Sequence, residues 1–304
     1  MAVIGIDITH AISLLTQDKP VAIPTETVYG LAADAYSMTA IESVFNLKQR
    51  PKNRTLALNI HPSWDILQWV EIPPSYVHTL RQAFWPGPLT IVLNAKKKCL
   101  LPALIGEHHS VALRCPKHPI TLALLQHYGK PLVAPSANPS NDLSPCSAQA
   151  VHDFFADTAL YILDGGTSEH GLESTILRAI DKQHYEILRQ GAISIAEITQ
   201  SIGFNPSTVQ QSQVADKHSK RFYFSDIDDI TPFIPSQPIL IASKETIALF
   251  PMLEHHLLST KHFYALLELS KKYPERLFLL ECSSKQDISL QDRIKKFCLP
   301  LKCS

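Results

Sequence analysis

The chain has 304 residues, enough for one large or two ordinary domains with cores of their own. Its 28 Lys and Arg balance 28 Asp and Glu, so the net charge is zero with histidine neutral, which is not the electrostatic footprint of a protein whose main task is gripping nucleic acid. No apolar run approaches the ~18 residues of a membrane span, and the six cysteines, at 99, 115, 146, 282, 298 and 303, form no Cys-x-x-Cys pair, so free thiols in the cytoplasm are expected. The pairs His108-His109 and His255-His256, and Cys115 near His118, lack companions at metal-ligand spacing, so no protein-held metal is expected.

In chain order, a strand-like run at 21–23 feeds directly into Pro24-Thr25-Glu26-Thr27-Val28-Tyr29-Gly30-Leu31. Pro24 removes a ladder donor and Gly30 permits backbone angles closed to other residues, so this reads as a binding turn presenting Thr25, Thr27 and Tyr29. Strand-length apolar runs follow at 56–60, 90–93, 111–113, 132–134, 161–163 and 175–177, alternating with amphipathic patterns at 38–47, 76–83, 119–127 and 148–155. This alternation predicts an α/β fold built on a large, twisted, mixed open sheet, with ligands taken up at strand ends. Phe84-Trp85-Pro86-Gly87-Pro88 reads as a sharp entry into the next strand rather than a stacking platform. From 204 to 237 Ser, Gln, Asp and Pro predominate, which predicts a linker. A second α/β pattern follows, with strands at 239–242 and 277–280 and helices at 261–271 and 287–297, so the expected domains are 1–203 and 238–304.

Several polar residues stand where they can meet anions. Lys48 and Arg50 lie two apart at the end of an amphipathic helix, with Pro51 forcing the chain out of it; a forked guanidinium beside a compact ammonium suits neighbouring anionic groups, and a solvated basic helix end is the plain alternative. Ser136 and Asn138 follow an apolar run across a Pro-flanked turn, where they serve either as donors to a ligand or in Asx-turn chemistry. Asn141, soon afterwards, is a residue type that can adopt the left-handed conformation of a turn.

These elements, together with Val111-Ala112-Leu113-Arg114, Asp164-Gly165-Gly166 and Glu173-Ser174-Thr175-Ile176, form an ordered set of blocks between about residues 21 and 193. The set resembles the YrdC-like family, the L-threonylcarbamoyladenylate synthases. The end of the chain, with Phe263-Tyr264-Ala265-Leu266 and Gln291-Asp292-Arg293-Ile294, is similar to the small C-terminal domain of the longer, two-domain synthases, though more weakly.

The resemblance implies an enzyme that joins L-threonine, bicarbonate and ATP into threonylcarbamoyl-AMP with release of pyrophosphate, supplying a transferase machinery that modifies tRNA next to the anticodon. It assigns Lys48 and Arg50 to the phosphates and the carbamate, and Asn59, Ser136, Asn138 and Arg189 to the nucleotide. Arg114 is the expected partner of the threonine carboxylate, with Thr25, Thr27 and Ser174 completing that pocket and Tyr29 as a wall or donor. Many relatives carry a histidine near the position of Asn59; His61 comes two residues later on the same face of a strand, and the sequence leaves open which of the two lines the site. Mg2+ is expected to arrive with ATP, held mainly by phosphates and water. A carbamoyl transferase of the hydrogenase-maturation type would bring Cys-x-x-Cys zinc motifs, and none is present. A double-stranded RNA module is the alternative from another class; the neutral charge argues against it as the main function, and direct contact with tRNA is left open.

Overall fold

In a computed structural model that describes residues 1–140, 142, 144–209, 221–224, 239–242, 255–257, 278–281 and 299–300, the chain divides into two compact units, Met1–Gln210 and Gln211–Ser304. The first unit runs β1 (Val3–Gly5), α1 (Ile8–Thr16), β2 (Val21–Ile23), β3 (Gly30–Asp34), α2 (Met38–Lys48), β4 (Leu58–Asn59), α3 (Tyr76–Phe84), β5 (Leu89–Asn94) and β6 (Ser110–Arg114). It continues with α4 (Pro119–Tyr128), β7 (Leu132–Val133), α5 (Ala148–Phe155), β8 (Tyr161–Leu163), β9 (Thr175–Ala179), β10 (Tyr185–Arg189), α6 (Ile195–Ile202) and β11 (Thr208–Val209). The strands form one mixed sheet in the order β1-β8-β2-β3-β7-β4-β6-β5-β9-β10-β11.

Local chemistry sets the helix ends. Ser37 and Ser147 accept from the N–H groups of Ala40 and Ala150 at 3.2 Å each, starting α2 and α5, while α4 opens on Pro119 and stops at Gly129, whose φ is 74°. Periodicity places α2 to α5 within a residue or so of the expected spans, because each buries one stripe of apolar residues.

The two faces of the sheet are covered unequally, and this creates the site. One face packs Leu31, Ala33, Leu58, Ile91, Leu113, Val133 and Leu177 into the larger core, together with residues of α2, α3, α5 and α6. On the opposite face α1 and α4 cover Val21, Ile23, Ala32, Leu132 and Leu163. Farther along that face Ala112 and Arg114 of β6, Ile176 of β9 and Leu188 of β10 are only half-buried, in alternation with the fully buried residues between them. The sheet is thus doubly covered at one end and open on one face at the other.

β3 departs from the expected turn. All five of its residues are buried, so it lacks the alternation that marks a half-exposed strand. Gly30 is a strand residue, paired with Ile23, and a Cβ there would lie 3.1 Å from that of Ala134. Its role is close strand approach, not the unusual backbone angles inferred from the turn reading.

The span read as a linker from 204 also contains ordered elements. Phe204 packs edge-on against Tyr76 and Tyr185, with ring centroids 5.2 and 5.6 Å away, and β11 pairs in parallel with Glu186 and Ile187, so this stretch belongs to the first unit. Arg221–Phe224, in the same span, is a strand, β12, of the second unit. The other described strands there are β13 (Ile239–Ala242), β14 (His255–Leu257), β15 (Phe278–Glu281) and β16 (Leu299–Pro300), forming a parallel sheet in the order β14-β13-β15-β12-β16. β13 and β15 stand at or within one residue of the expected strands. The helices expected at 261–271 and 287–297, the turn residue Asn141 and the rest of the linker lie outside the described residues.

Candidate active site

The open face of the sheet carries a cavity of about 300 Å3. Its floor is a row of residues in register across four strands. Asn59 of β4 pairs with Arg114 of β6, Arg114 with Thr90 of β5, and Thr90 with Ile176 of β9. Pleating sends all four side chains to the same side, so an amide, a guanidinium, a hydroxyl and an apolar group share one surface. Around this floor stand Thr25 and Tyr29, Arg50, Ser136, Glu173 and Ser174, and Arg189, each from a different loop or strand end.

The β2–β3 connection holds Arg114 in place. Thr25 Oγ donates to Val28 O at 2.6 Å and accepts from the N–H groups of Thr27 and Val28, a side-chain turn that locks the loop. Arg114 Nη2 then donates to Thr27 Oγ at 2.6 Å and to Glu26 Oε1 at 2.9 Å. Glu26 is almost fully buried and its other oxygen accepts from Lys117 N at 2.9 Å, so both carboxylate oxygens are satisfied and the ion pair is fixed. Arg114 Nε is buried with no hydrogen-bond partner among the described residues, which leaves the guanidinium a donor to offer.

Arg50 reaches the cavity from the segment after α2. Its Nε and Nη2 donate to the carbonyls of Arg54 and Thr55 at 3.1 and 3.0 Å, which orients the guanidinium plane, and burial together with nearby Arg54 lowers it only to about 10, so it stays charged at neutral pH. On the opposite wall Arg189 donates to Ser174 O at 2.9 Å and to Ser174 Oγ at 3.2 Å, while Ser174 Oγ also meets Thr90 Oγ at 2.8 Å. Ser144 Oγ donates to Glu173 Oε1 at 2.9 Å, fixing the carboxylate on this wall.

Several expected site residues have their polar groups engaged within the protein. Lys48 is 2% exposed, and its ammonium donates to Ser136 O and to Asn138 O, at 2.5 Å for the latter. It therefore fastens the 136–138 turn to the end of α2. Burial first and Arg50 second pull this ammonium down to about 7, against which the two carbonyl acceptors work. Asn138 likewise stands behind the wall, its amide nitrogen donating to Pro139 O and Asp142 O at 2.7 and 2.8 Å, which ties down its own loop without the oxygen-accepting contact of an Asx turn. Thr27 acts through Arg114. Tyr29 is fully buried and its hydroxyl donates to Gly166 O at 2.7 Å; burial raises the phenol to about 12, so it stays protonated and anchors the 164–166 loop.

Of the pair left open, Asn59 lines the cavity and His61 does not. β4 ends at Asn59, and the chain then turns, with Trp64 N donating to His61 O at 3.1 Å, so the strand periodicity that would have kept His61 on the same face stops short of it. Sequence reasoning missed Thr90, Ala112, Ile176 and Leu188 as lining residues and left Glu26 without a defined partner. The alternation of small or polar residues with large apolar ones in 110–114 is the signal that such a face exists.

A mixed α/β sheet uncovered on one face at one end, bearing there three arginines and a ring of hydroxyl and amide groups, defines a small-molecule site for an anionic ligand. The Sua5/YciO/YrdC family model, described as "Telomere recombination", matches residues 13–191, and the chain belongs to this family. Over 197 residues, 64% of its length, the chain is 39% identical to a threonylcarbamoyl-AMP synthase of Bacillus subtilis (strain 168), and the match spans 56% of that relative. It is 35% identical over 189 residues to a threonylcarbamoyl-AMP synthase of Klebsiella pneumoniae, where the match covers 60% of this chain and 95% of the relative. Among solved structures, Pyrococcus abyssi Sua5 complexed with L-threonine superposes with a TM-score of 0.79 over 99% of this chain and 100% of that one, at 22% identity, a likeness of fold. Among the described residues, Cys99, Cys115 and Cys146 are free thiols, and no helix is long and apolar enough to cross a membrane.

Proposed function

We propose that the chain synthesises L-threonylcarbamoyl-AMP from L-threonine, bicarbonate and ATP, releasing pyrophosphate, and so supplies the threonylcarbamoyl group for modification of a tRNA adenosine next to the anticodon. The observation that carries this reading is Arg114: a guanidinium fixed by Glu26 and Thr27, with its Nε unpartnered, in the floor of a cavity that Arg50 and Arg189 also face. That arrangement suits an α-carboxylate at Arg114 and phosphate oxygens toward Arg50. The names of the matched relatives, and the threonine bound to a protein of the same fold, support the same substrates.

In this reading the threonine carboxylate takes the spare donors of Arg114, with Thr25 and Ser174 at hand for the rest of the amino acid. Its neutral amine forms a C–N bond to the carbon of CO2, one C=O electron pair moving onto oxygen and the amine proton passing to solvent, or to the carbon of bicarbonate with loss of water, giving a carbamate. A carbamate oxygen attacks the α-phosphorus of ATP, and the bond from that phosphorus to the bridging oxygen breaks, its electron pair leaving with pyrophosphate. The chain contributes no covalent intermediate. Its residues bring reactants together, offset anionic charge and limit water at a hydrolysable carbamate. Arg50, held by two carbonyls, screens the phosphates, and Ser136 and Asn59 donate to the nucleotide. Lys48 is a positioning residue that holds the Ser136 turn.

Mg2+ supplies further charge screening when it arrives with ATP. Glu173, a carboxylate on the cavity wall, is at hand for a water of an ion that the phosphates carry. In this reading the protein works in the cytoplasm and hands its product to a threonylcarbamoyl transferase. Incubating the pure protein with ATP, Mg2+, L-threonine and bicarbonate and analysing the mixture by mass spectrometry tests the proposal. Threonylcarbamoyl-AMP and stoichiometric pyrophosphate are expected, and ATP left intact at every threonine concentration would refute it.

A further inference from the structure

A second cavity lies away from the site described above. It measures about 170 Å3 and is lined by Ile60, His61, Pro62 and Trp64 on one side and by His78, Arg81, Gln82 and Trp85 on the other. The second group is a helical stripe: positions 78, 81, 82 and 85 follow the i, i+3, i+4, i+7 spacing of one face of α3 and the residue just after it. α3 commits a different stripe, Tyr76, Val77 and Leu80, fully to the core, while on this one only Trp85 packs against the core, and in part.

The chemistry of the lining is specific. Arg81 lies over the Trp85 ring, 5.5 Å from its centroid, and Trp85 Nε1 donates to Leu89 O at 2.7 Å, so ring and guanidinium form a stacked and oriented pair. Arg81 Nε is buried with no hydrogen-bond partner among the described residues. A buried guanidinium N–H ordinarily finds an acceptor, and one left without it marks a place for a ligand. Facing it, His61 Nδ1 accepts from Ser63 N and meets Ser63 Oγ at 2.7 Å, which leaves the proton of the neutral ring on Nε2 as a donor. Trp64 adds a second flat wall beside His61, ring centroids 6.0 Å apart. Among the described residues no carboxylate lines the cavity.

Flat aromatic walls, a stacked guanidinium with an unused donor, imidazole groups and an absence of lining acids select a planar aromatic ligand that carries an anion. The volume admits one base rather than a triphosphate. We propose that this cavity binds a single nucleotide, its base against Trp64 and the Arg81–Trp85 stack and its phosphate on Arg81 and the histidines. Two sources share that chemistry, a free nucleoside monophosphate and one nucleotide of a single-stranded RNA.

The protein contains its own reporter. It has three tryptophans, of which Trp64 and Trp85 line the cavity and Trp69 has its ring 6.3 Å from that of Trp64. Intrinsic fluorescence of the full chain is therefore read during titration with AMP and, separately, with a short single-stranded oligoadenylate. Saturable quenching is expected, weakened about tenfold or more in Arg81→Met and measurably in His78→Ala, an exposed position whose change leaves the fold intact, while both variants still form threonylcarbamoyl-AMP. Oligonucleotide binding at least tenfold tighter than AMP, with a steep salt dependence, assigns the cavity to RNA; equal affinity for the two assigns it to the free nucleotide. Absence of quenching by both ligands, or quenching unchanged in both variants, overturns the proposal whatever the outcome of the synthase assay.

Discussion

Replacing Lys48 by Met separates a residue that holds the site from one that reacts in it. Methionine keeps most of the apolar stem but removes the ammonium that donates to Ser136 O and Asn138 O. Two buried carbonyls then lose a charged donor, at about 1–3 kcal/mol each, while the chain no longer desolvates an ammonium, so a net loss of roughly 2–4 kcal/mol is expected. Urea unfolding followed by circular dichroism measures it, and turnover should fall along with stability because Ser136 no longer has a fixed place. The pH dependence adds a second check. The ammonium is pulled from 10.5 down to about 7 in the folded chain, so between those values the unfolded chain binds more protons and folding stability rises with pH. Lys48→Met should lack that rise. If Lys48→Met keeps wild-type stability yet loses turnover, Lys48 acts on the substrate and not on the turn.

Arg114→Ala should raise the KM for threonine at least tenfold, about 1.4 kcal/mol, with a smaller effect on ATP, whereas Arg50→Ala should lower turnover with the larger effect on ATP; steady-state kinetics on both substrates checks this split. Burial would raise Asp34, but hydrogen bonds from Tyr128 and Lys130 outweigh it and hold the carboxyl below its usual 3.8. That stability is present above pH 3.8 and is lost as pH falls through the lower folded value, so Tyr128→Phe should move the acid-unfolding midpoint upward. A chain ending at residue 210 should fold with the thermal midpoint of the first unit, and one ending at 203 should melt lower. The shorter chain lacks Phe204 against Tyr76 and Tyr185 and the β11 pairing, a loss of about 1–3 kcal/mol that differential scanning calorimetry resolves.

The α/β layout was legible in the sequence because helices α2 to α5 bury a 3.6-residue stripe and most strands are short apolar runs. The gathering of polar residues was legible too, since Thr25, Arg50, Asn59, Arg114, Ser136, Ser174 and Arg189 converge on one cavity from seven separate positions in the chain. What only the tertiary structure decided is where each polar atom finds its partner. Lys48 reads locally as a basic helix end, but its acceptors are 88 and 90 residues away. Arg114 and Glu26 pair across 88 residues, and β3 escaped notice because burial on both faces erases the alternation that pattern reading needs. Periodicity reports which face of an element meets the core, a short-range property of the chain; hydrogen bonds between loops depend on which strands the sheet sets side by side, and that order appears only once the chain has folded.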